Sequence, residues 1–503
     1  MEQDVLIIGG GAAGLSAAVA LGRSRRSVTV LDAGSPRNAP AEGVHNFLTR
    51  DGTPPAELLA AGRKEVEQYG GVIVAGEARQ ARRIPGGFAV TADGGRVFTA
   101  RRLLVTTGLT DELPDVPGVR EGWGHFVLHC PYCHGWEVRD QAIGILGTSA
   151  FAVHQALLFR QLSDDVVLFQ DTVPEQAAQL RARGIRIETV PVKAVDPSGV
   201  HLADGSFVAR QVIVVAPRFV ANTRILEDLG LPSVEHPNGL GTYIPAKPNG
   251  ATDVPGVYVA GNVTDLSAQV IVAAGQGLMA GAAINAELAE EEAQDALMFS
   301  AGFWDHRYGA TTRVWSGNPN IQLVATVSDL KPGTALDVGS GEGADAIWLA
   351  QRGWQVTAVD ISQVALDRAA AEAARAGADG IRWRVGDLLT WDPAPEQFDL
   401  VSAQFIHLPG EARAALHRRL AAAVRPGGTL LIVGHHPSIR ETTFGGPHRH
   451  HRTDLFYTAE EIAATLDPAE WRVETAALDR AAKDPDGQPI VIQDAVLVAT
   501  RAS

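Results

Sequence analysis

Cysteine is almost absent from this sequence. Among 503 residues there are two, Cys130 and Cys133, and they form one Cys-x-x-Cys motif. Two cysteines cannot build a framework of structural disulfides, so we expect a reducing compartment, the cytoplasm. Zinc takes four ligands and no second cysteine pair completes such a site, although two idle thiols remain an alternative. The pair therefore predicts a redox-active disulfide, with one thiol ionising more readily than free cysteine.

Positive charge is also scarce. Lysine and arginine number 43 against 58 aspartates and glutamates, and the net charge of -15 argues against nucleic acid or an anionic membrane as the main partner. The uncharged stretch over 5–22 resembles the core of a signal peptide, but Glu2 and Asp4 precede it where a signal needs basic residues. We therefore predict no targeting or membrane segment, and a globular protein of about three domains.

The first motif present is a glycine fingerprint. An apolar run over 5–8 leads into the glycine-rich stretch 9–14 and then into an alanine-rich helical segment. A second apolar run ends on Asp32, close to the offset of roughly 20 residues at which a ribose-binding acid is found. Glycine lets the backbone approach a pyrophosphate, whose charge the helix N-terminus stabilises. The pattern predicts a dinucleotide-binding βαβ unit.

A second fingerprint, over 143–152, departs from this pattern. Ser149 stands where its middle glycine belongs, and the next strand runs into Gln170 and Asp171. No basic residue lies over 169–175 to hold the 2′-phosphate of NADPH, and Asp171 would repel that phosphate. NADPH binding is therefore doubtful, while NADH and no nicotinamide at all both stay open. A small-residue helix over 269–286 follows, and the acidic stretch 287–295 predicts a helix end and linker.

Residues 1 to about 297 resemble the low-molecular-weight thioredoxin reductase family of flavoproteins. The shared order is the fingerprint, a Thr-Thr-Gly turn at 106–108, Cys-x-x-Cys, the second fingerprint, and Gly-Asn at 261–262. The resemblance implies an FAD-binding domain over 1–114 and 240–297, split by a nicotinamide-type domain over 115–239. Arg37-Asn38, the run 45–52 and Cys-x-x-Cys-His-Gly are similar to a sub-branch of dithiol oxidases, which close disulfides in small metabolites and reduce oxygen. We also expect a homodimer.

The resemblance also implies roles for individual residues. Cys133 corresponds to the thiol next to the flavin and Cys130 to the interchange thiol that meets the substrate. His134 replaces an aspartate and could deprotonate a substrate thiol, although a solvent-facing histidine without a role remains an alternative. FAD is expected to contact Gly9, Gly11, Ala13, Gly14 and Asp32 at the adenosine and pyrophosphate, Asn46 and Gly108 near the isoalloxazine, Gly261 and Asn262 along the ribityl chain, and Gln269 and Val270 under the flavin.

The second half contains a different glycine turn. A strand over 335–338 enters the stretch 339–343, the next strand ends on Asp360, and Asp387 follows another. A strand-end acid can take a ribose diol, and Asp387 can accept an adenine amino group. The set resembles class I methyltransferases that bind S-adenosylmethionine. The resemblance implies that Gly339, Gly341 and Gly343 line the methionine moiety, Asp360 the ribose, and Asp387 and Leu388 the adenine.

The methyl acceptor is less defined by the sequence. We assign 298–330 to a linker and N-terminal segment and 331–503 to the methyltransferase domain, which lacks the cysteines that arsenite methylation needs. Its histidines have no recognised metal-ligand spacing, so we predict no metal site. The aromatic residues of the N-terminal segment could cover the cofactor or could simply be packing. The histidines are His435, His436, His448, His450 and His451, and the aromatics are Trp304, Tyr308 and Trp315.

Together these patterns predict a bifunctional α/β enzyme. We expect an FAD-dependent dithiol–disulfide oxidoreductase acting on a small molecule, fused to an S-adenosylmethionine-dependent methyltransferase with a small-molecule acceptor. Because a reactive dithiol can be closed or methylated, their adjacency favours one shared substrate. Two alternatives stay open: an NADH- or NADPH-driven reductase of thioredoxin or another disulfide, and a redox sensor whose cysteine pair gates methylation.

Overall fold

The structure is a computed structural model that describes residues 3–84, 86–441, 455–483 and 487–503. The chain divides into two compact units, Met1–Leu288 and Ala289–Ser503. The first unit contains two α/β sheets and two small sheets, and the second contains a single seven-stranded sheet. This organisation agrees with the predicted α/β class.

The first sheet carries the first fingerprint. The apolar runs over 5–8, 28–31 and 103–105 in its central strands are buried, as the sequence pattern predicted. In spatial order the strands are Val72–Ala75, Val28–Asp32, Gln3–Ile8, Val97–Val105, Gly87–Ala92 and Ala78–Ile84, with Val257–Val259 also paired to Val97–Val105. The first four strands and Val257–Val259 pair in parallel, and the other two are antiparallel.

Glycine fixes the close approach of the first helix to this sheet. Helix Ala12–Arg23 begins directly after Gly11, and a Cβ atom on Gly14 would lie 2.0 Å from the carbonyl oxygen of Gly9. Any side chain at Gly14 would therefore push the helix away from the strand that precedes it. The role of Gly14 in the structure is thus helix packing.

The inserted part of the first unit has its own parallel sheet. Its strands, in spatial order, are Arg186–Glu188, Val166–Phe169, Ile143–Leu146, Val212–Val214 and Val127–Leu128. An antiparallel sheet of Val192–Asp196, Gly199–Leu202 and Phe207–Ala209 is inserted in the chain between Arg186–Glu188 and Val212–Val214. The connections into and out of the insert form a third sheet, in the order Val234–Glu235, Gly241–Tyr243, Arg218–Ala221 and Leu109–Glu112.

The helix Val270–Met298 corrects one expectation. The stretch 287–295 was predicted to be a helix end and linker. The helix end was wrong, because the helix continues to Met298, but the boundary between the two compact units does fall inside the stretch, between Leu288 and Ala289. The stretch contains neither glycine nor proline and is rich in alanine and glutamate, which favour helix. Glu287 within it accepts a hydrogen bond from Tyr258 and lies 3.1 Å from the Arg102 guanidinium.

Among the described helices, Val270–Met298 is long and apolar enough to cross a membrane by length and composition. Core helices of globular proteins pass the same test. Ala280, Ile284 and Leu288 are fully buried in a cluster that also contains residues of helix Ala12–Arg23. One face of the helix therefore packs in the core of the first unit.

The second unit has a sheet that ends in a long antiparallel hairpin. Its strands, in spatial order, are Ile381–Val385, Gln355–Asp360, Thr334–Val338, Phe398–Gln404, Val424–His435, Pro489–Arg501 and Trp471–Lys483. The first five pair in parallel, so their carboxyl ends meet at one edge of the sheet. The last two are antiparallel, and Pro489–Arg501 places its N-terminal part at that same edge.

The remaining helices are short and lie between these strands. In the first unit they are Pro55–Gln68, Val119–Gly122, Pro131–His134, Ala152–Phe159, Ala177–Ala182 and Arg224–Glu227. In the second they are Ala301–Gly309, Ile321–Val327, Ala344–Ala350, Gln363–Arg375, Gly410–Ala423 and Ala459–Ala463. Single 3-10 turns cover Asp93–Gly95, Gly261–Val263 and Pro437–Glu441.

Candidate active sites of the two units

A cavity of about 1520 Å³ runs through the first unit. It is lined both by the first fingerprint and by the Cys-x-x-Cys segment, so the structure brings these two predicted features together. Twelve predicted residues line it: Gly9, Gly11, Ala13, Asp32, Gly108, Cys130, Cys133, His134, Gly261, Asn262, Gln269 and Val270. Gly14 and Asn46 do not. The volume exceeds that of a typical drug-sized pocket, as a dinucleotide requires.

The glycine turn fits the pyrophosphate of FAD. A Cβ atom on Gly10 would lie 2.5 Å from the Asp32 carboxyl group, so that glycine is required by the protein's own packing. A Cβ atom on Gly11 would have no neighbour within 4 Å. Gly11 therefore opens onto the cavity at the N-terminus of helix Ala12–Arg23, where a phosphate would be stabilised by backbone N–H groups.

Asp32 is held in place by three donors. It accepts hydrogen bonds from the backbone of Gly10 at 3.2 Å and Gly34 at 3.1 Å, and from Arg63 at 2.8 Å. Burial raises the pKa of Asp32, but these donors outweigh it, and the pKa lies below its ordinary value. Arg63 was missed in the sequence, because nothing local links it to an acid 31 residues away.

The cysteine pair forms the predicted disulfide. Cys130 caps the short helix Pro131–His134, and its Cα atom lies 5.3 Å from that of Cys133. The side-chain amide of Asn46 donates a hydrogen bond of 2.7 Å to the carbonyl oxygen of Tyr132, inside the motif. Asn46 thus holds the cysteine helix against the FAD-type part of the unit instead of lining the cavity.

His134 is half-buried and faces the cavity. Within the described part of the chain, neither of its ring nitrogens has a hydrogen-bond partner. Burial lowers the pKa of His134, and the carboxylate of Glu137 opposes this only in part. The imidazole is therefore neutral at pH 7 and able to accept a proton.

An aromatic wall adjoins Cys130, and it consists of Trp123, His129 and Phe219. The His129 ring stacks on Trp123 with 5.5 Å between centroids and meets Phe219 edge-on at 6.0 Å. Burial, followed by the positive charge of Arg37, lowers the pKa of His129 to about 4, so this histidine is neutral. All three side chains line the cavity.

Arg37 extends the aromatic wall. Its guanidinium lies over Phe219 at 5.1 Å and forms two hydrogen bonds with the Asp111 carboxylate, at 2.6 and 2.7 Å. Sequence reasoning missed the pair because the two residues are 74 positions apart. The only signal was that Arg37 belongs to a segment similar to the dithiol oxidases.

The second fingerprint reaches the same cavity. Thr148, Ser149 and Phe151 line it, and the backbone N–H of Phe151 donates to the Ser149 hydroxyl at 3.2 Å. A Cβ atom on Gly147 would lie 2.7 Å from that of Gln170, so this glycine is needed for packing. Asp171 is exposed at the end of the next strand.

In the second unit the three predicted glycines form the turn after strand Thr334–Val338. Gly339, Gly341 and Gly343 all have positive φ, at 69°, 53° and 82°. Asp360 fastens this turn: it accepts hydrogen bonds from the backbone of Gly341 at 2.8 Å and of Ser362 at 2.9 Å, and burial raises its pKa.

Asp387 follows the neighbouring strand, as predicted. The backbone N–H of Gly386 donates to the carbonyl of Asp360 at 2.9 Å, which joins the two strand ends. Asp387 is exposed and accepts from the backbone of Leu389, while the Leu388 carbonyl accepts from Arg419 at 2.6 Å. The structure thus brings both predicted adenine contacts to the edge that carries Asp360.

Three buried oxygens beside the glycine turn indicate a ligand. The Oδ2 of Asp337, the Oγ of Ser340 and the Oε1 of Gln404 have no hydrogen-bond partner within the described residues. Burial, together with Asp345 and Asp360 nearby, raises the pKa of Asp337. An amino-acid ammonium supplies the donors and the charge that such oxygens require, so these residues fit S-adenosylmethionine. Asp337 could have been found from its place directly before the turn.

The predicted aromatic residues lie next to this turn. Trp315 donates from Nε1 to the Tyr308 hydroxyl at 2.9 Å, and a Cβ atom on Gly341 would lie 3.0 Å from that hydroxyl. Burial raises the pKa of Tyr308. Trp304 packs on Tyr308 with 6.0 Å between ring centroids. These rings cover the protein side of the turn, which supports both proposed roles, packing and cover.

No cluster of three or more potential metal ligands occurs in the described ranges. His435 and His436 follow one another at the end of strand Val424–His435. The other histidines considered for a metal, His448, His450 and His451, lie outside the described residues.

The two sites define a disulfide oxidoreductase with a dinucleotide cavity, joined to a methyltransferase-type α/β unit. Residues 3–277 match the family model for pyridine nucleotide-disulphide oxidoreductases, and 335–428 match a methyltransferase domain. The chain belongs to the pyridine nucleotide-disulphide oxidoreductase family and carries a methyltransferase domain. The predicted thioredoxin reductase-type family, the methyltransferase domain and the α/β class are confirmed. FAD is the cofactor expected of the first family and S-adenosylmethionine of the second.

Individual relatives share the first family. Thioredoxin reductase sirT of Leptosphaeria maculans is 33% identical over 308 residues, which are 56% of this chain and 93% of that protein. The crystal structure of HlmI is 44% identical, covers 59% of this chain and 96% of HlmI, and gives a TM-score of 0.56. An oxidoreductase from Agrobacterium tumefaciens is 39% identical with a TM-score of 0.55, covering 57% and 99%.

Proposed function

We propose that the first unit is an FAD-dependent oxidase of small-molecule dithiols and that the second is an S-adenosylmethionine-dependent methyltransferase of small molecules. One observation carries the oxidase proposal. The Cys130–Cys133 disulfide opens onto the same cavity as the first glycine fingerprint, while no residue over 169–175, at the end of strand Val166–Phe169, is basic. Thiols can therefore deliver electrons at Cys130, whereas the stretch 169–175 supplies no positive charge for the 2′-phosphate of NADPH.

The proposed route uses three residues. His134 takes the proton of one substrate thiol, and the resulting thiolate attacks the Sγ of Cys130, which breaks the disulfide and releases the Cys133 thiolate. The second substrate thiol then gives its proton to the Cys133 thiolate and attacks the substrate sulfur bonded to Cys130, so that the substrate disulfide closes and the Cys130 thiolate leaves. The cysteine pair has then gained two electrons. Bound FAD supplies the two-electron acceptor that restores the disulfide, and oxygen receives the electrons.

The walls of the cavity support a small apolar substrate. Trp123, His129 and Phe219 adjoin Cys130, and the low pKa of His129 keeps that ring uncharged. Rings of this kind bury the flat body of a small molecule. The Arg37–Asp111 pair at their end is charge-neutral and can orient a polar group of the substrate.

The second candidate is a reductase driven by NADH. It is favoured by the similarity to thioredoxin reductases such as sirT. It is also favoured by Asp171, whose exposed carboxylate can accept hydrogen bonds from the free ribose hydroxyls of NADH. NADPH fits less well, because Asp171 would repel its 2′-phosphate.

An anaerobic titration separates the two candidates. The purified flavoprotein is mixed with NADH, with NADPH or with dithiothreitol, and flavin absorbance is recorded. We expect bleaching by dithiothreitol alone, and oxygen uptake once air is admitted. Rapid bleaching by NADH together with slow reduction by dithiothreitol would overturn the oxidase proposal and support the reductase.

We further propose a cytoplasmic homodimer. Helix Val270–Met298 exposes a set of large apolar side chains of the kind that subunit contacts cover. The set is Ile271, Val272, Leu278 and Met279. Sedimentation equilibrium should give twice the mass of 53.1 kDa, and a single-chain mass would contradict the proposal.

A further inference from the structure

A buried histidine–aspartate pair lies at the ligand-binding edge of the second sheet. His435 is the last residue of strand Val424–His435, and Asp494 is its direct cross-strand partner. His435 is 6% and Asp494 1% exposed, and the His435 Nδ1 lies 3.5 Å from a carboxylate oxygen of Asp494. A contact of this length can tighten when a substrate binds.

Arg480 keeps the aspartate charged. It donates two hydrogen bonds to Asp494, of 2.6 and 3.1 Å, from the neighbouring strand Trp471–Lys483. Burial raises the pKa of Asp494, but His435 and Arg480 outweigh it, and the pKa lies below its ordinary value. A carboxylate whose charge is already balanced by arginine can accept a hydrogen bond from a neutral imidazole ring. It does not favour the addition of a second proton to that ring.

His435 and a second histidine, His407, lie at the same sheet edge as the glycine turn. The His407 ring stacks on His435 with 4.9 Å between centroids, and Phe405 flanks His435 at 4.8 Å. Phe405 has a φ of 56°, an uncommon conformation for a non-glycine residue and one enriched at functional sites. Between them, Ile406 reaches the turn itself: its Cδ1 would lie 2.1 Å from a Cβ atom on Gly339. The two residues that flank Ile406 in the chain, Phe405 and His407, thus both have rings that contact His435.

We propose that His435 is the base that deprotonates the methyl acceptor, that Asp494 positions it, and that the acceptor is a thiol. The inference rests on the proposed methyltransferase function. The Asp494 carboxylate, 3.5 Å from Nδ1, is placed to accept from Nδ1–H once the contact tightens, which would fix the tautomer with the lone pair on Nε2.

The choice of a thiol follows from acidity. Imidazole titrates near pH 6.5 and a thiol near 8.5, whereas a phenol or an amine titrates at about 10 or above. Proton transfer to His435 is thus least unfavourable from a thiol. The proton moves from sulfur to Nε2, the thiolate forms a bond to the methyl carbon, and the carbon–sulfonium bond breaks with its electron pair left on the donor sulfur.

Methyl transfer to dithiothreitol tests the base. His435→Gln should lower the rate by ~10²–10⁴-fold at pH 7 and recover towards pH 9, where thiols ionise unaided. His436→Gln is the matched control, because its ring accepts from the backbone of Ser438 and contacts the Ser438 hydroxyl at 2.9 Å instead. Equal losses in both variants, or no loss in His435→Gln, would overturn the assignment.

Asp494→Asn should slow methyl transfer and shift the acid limb of its pH–rate profile, while Asp494→Glu should restore part of the rate. Among the described residues, the groups that face His435 and shape the pH profile include Asp494, Arg480 and the His407 imidazole. Because a variant of the buried Asp494 can misfold, nitrogen-15 histidine spectra of the unliganded wild type provide an independent readout. The signal lost in His435→Gln should report a proton on Nδ1 only, and a charged ring or an Nε2–H tautomer at pH 7 would refute the role.

Calorimetry distinguishes failure of this inference from failure of the proposed function. If the wild type does not bind S-adenosylmethionine, the methyltransferase function itself fails. If it binds the donor but methylates catechol or an amine and not dithiothreitol, only the thiol assignment fails. Binding of the donor with no transfer to any of these acceptors also counts against the thiol.

Discussion

Removing the hydrogen bond from Asn46 to the carbonyl of Tyr132 tests how the cysteine helix Pro131–His134 is held in place. Asn46 has a φ of 60°, so alanine at this position would add backbone strain to the loss of the amide. Asn46→Gly removes the amide and accepts the same φ without strain. It is therefore the clean perturbation of this contact.

The size of the effect follows from the geometry. The bond is short, at 2.7 Å, but solvent-exposed, so water competes for both groups. A net contribution of ~0.5–1 kcal/mol is expected for such a bond. Since about 1.4 kcal/mol is a factor of ten, the population of the docked helix should fall by roughly 2- to 5-fold relative to its undocked form.

Anaerobic rapid mixing with dithiothreitol measures this change as the rate of flavin reduction, which should fall with the fraction of docked helix and so by at most the same factor. Thr49→Gly is the control, because Thr49 has a φ of 73° in the same loop, while the hydrogen bond to Tyr132 comes from Asn46. An unchanged rate in Asn46→Gly would refute the docking role. So would an equal loss in Thr49→Gly, because loop flexibility alone would then account for it.

Three further variants address the two sites. Gly11→Asp places a carboxylate in the open space where the pyrophosphate is expected, so the protein should purify without flavin, and stoichiometric flavin would contradict the assignment. Asp360→Ala should weaken S-adenosylmethionine binding by roughly 10- to 150-fold in calorimetry, from a loss of ~1.5–3 kcal/mol, while flavin content stays constant as the control. His134→Ala should slow dithiol oxidation by ~10²–10⁴-fold with partial recovery at high pH. Because burial lowers the pKa of His134, the wild-type rate should persist below pH 6.5, and normal turnover in the variant would make the histidine a neighbour only.

Much of the architecture could be predicted because buried parallel strands are recognisable in a sequence as continuous apolar runs. The apolar runs ending at Asp32 and Asp360 were predicted as strands, and both are strands that carry their acids to a glycine turn. Such strands are covered on both faces, so their sequences are continuously apolar. The redox role of the cysteine pair could also be predicted, because both cysteines of the chain lie in one motif and few other roles fit that arrangement.

What could not be predicted depends on tertiary contacts. The Asn46–Tyr132 bond joins residues 86 positions apart, and the His435–Asp494 pair exists only through the register of two antiparallel strands. A one-residue slip in that register would turn every side chain to the other face, and sequence alone does not set it. The helix end predicted over 287–295 was wrong for a related reason, because an acidic stretch was taken for the end of a helix although its residues are good helix formers.

The two glycine turns share one construction but differ in charge. In each, the acid at the end of the second strand accepts from a turn N–H, yet Asp32 is paired with Arg63, whereas no lysine or arginine is ion-paired with Asp337, Asp345 or Asp360 in the described ranges. The pKa of Asp32 is accordingly lowered, while the pKa values of the other three are raised, that of Asp345 to about 6. A compensated carboxylate suits an anionic pyrophosphate. Carboxylates without a paired arginine or lysine suit a cationic ligand. The ammonium and sulfonium groups of S-adenosylmethionine carry the positive charges that would balance them.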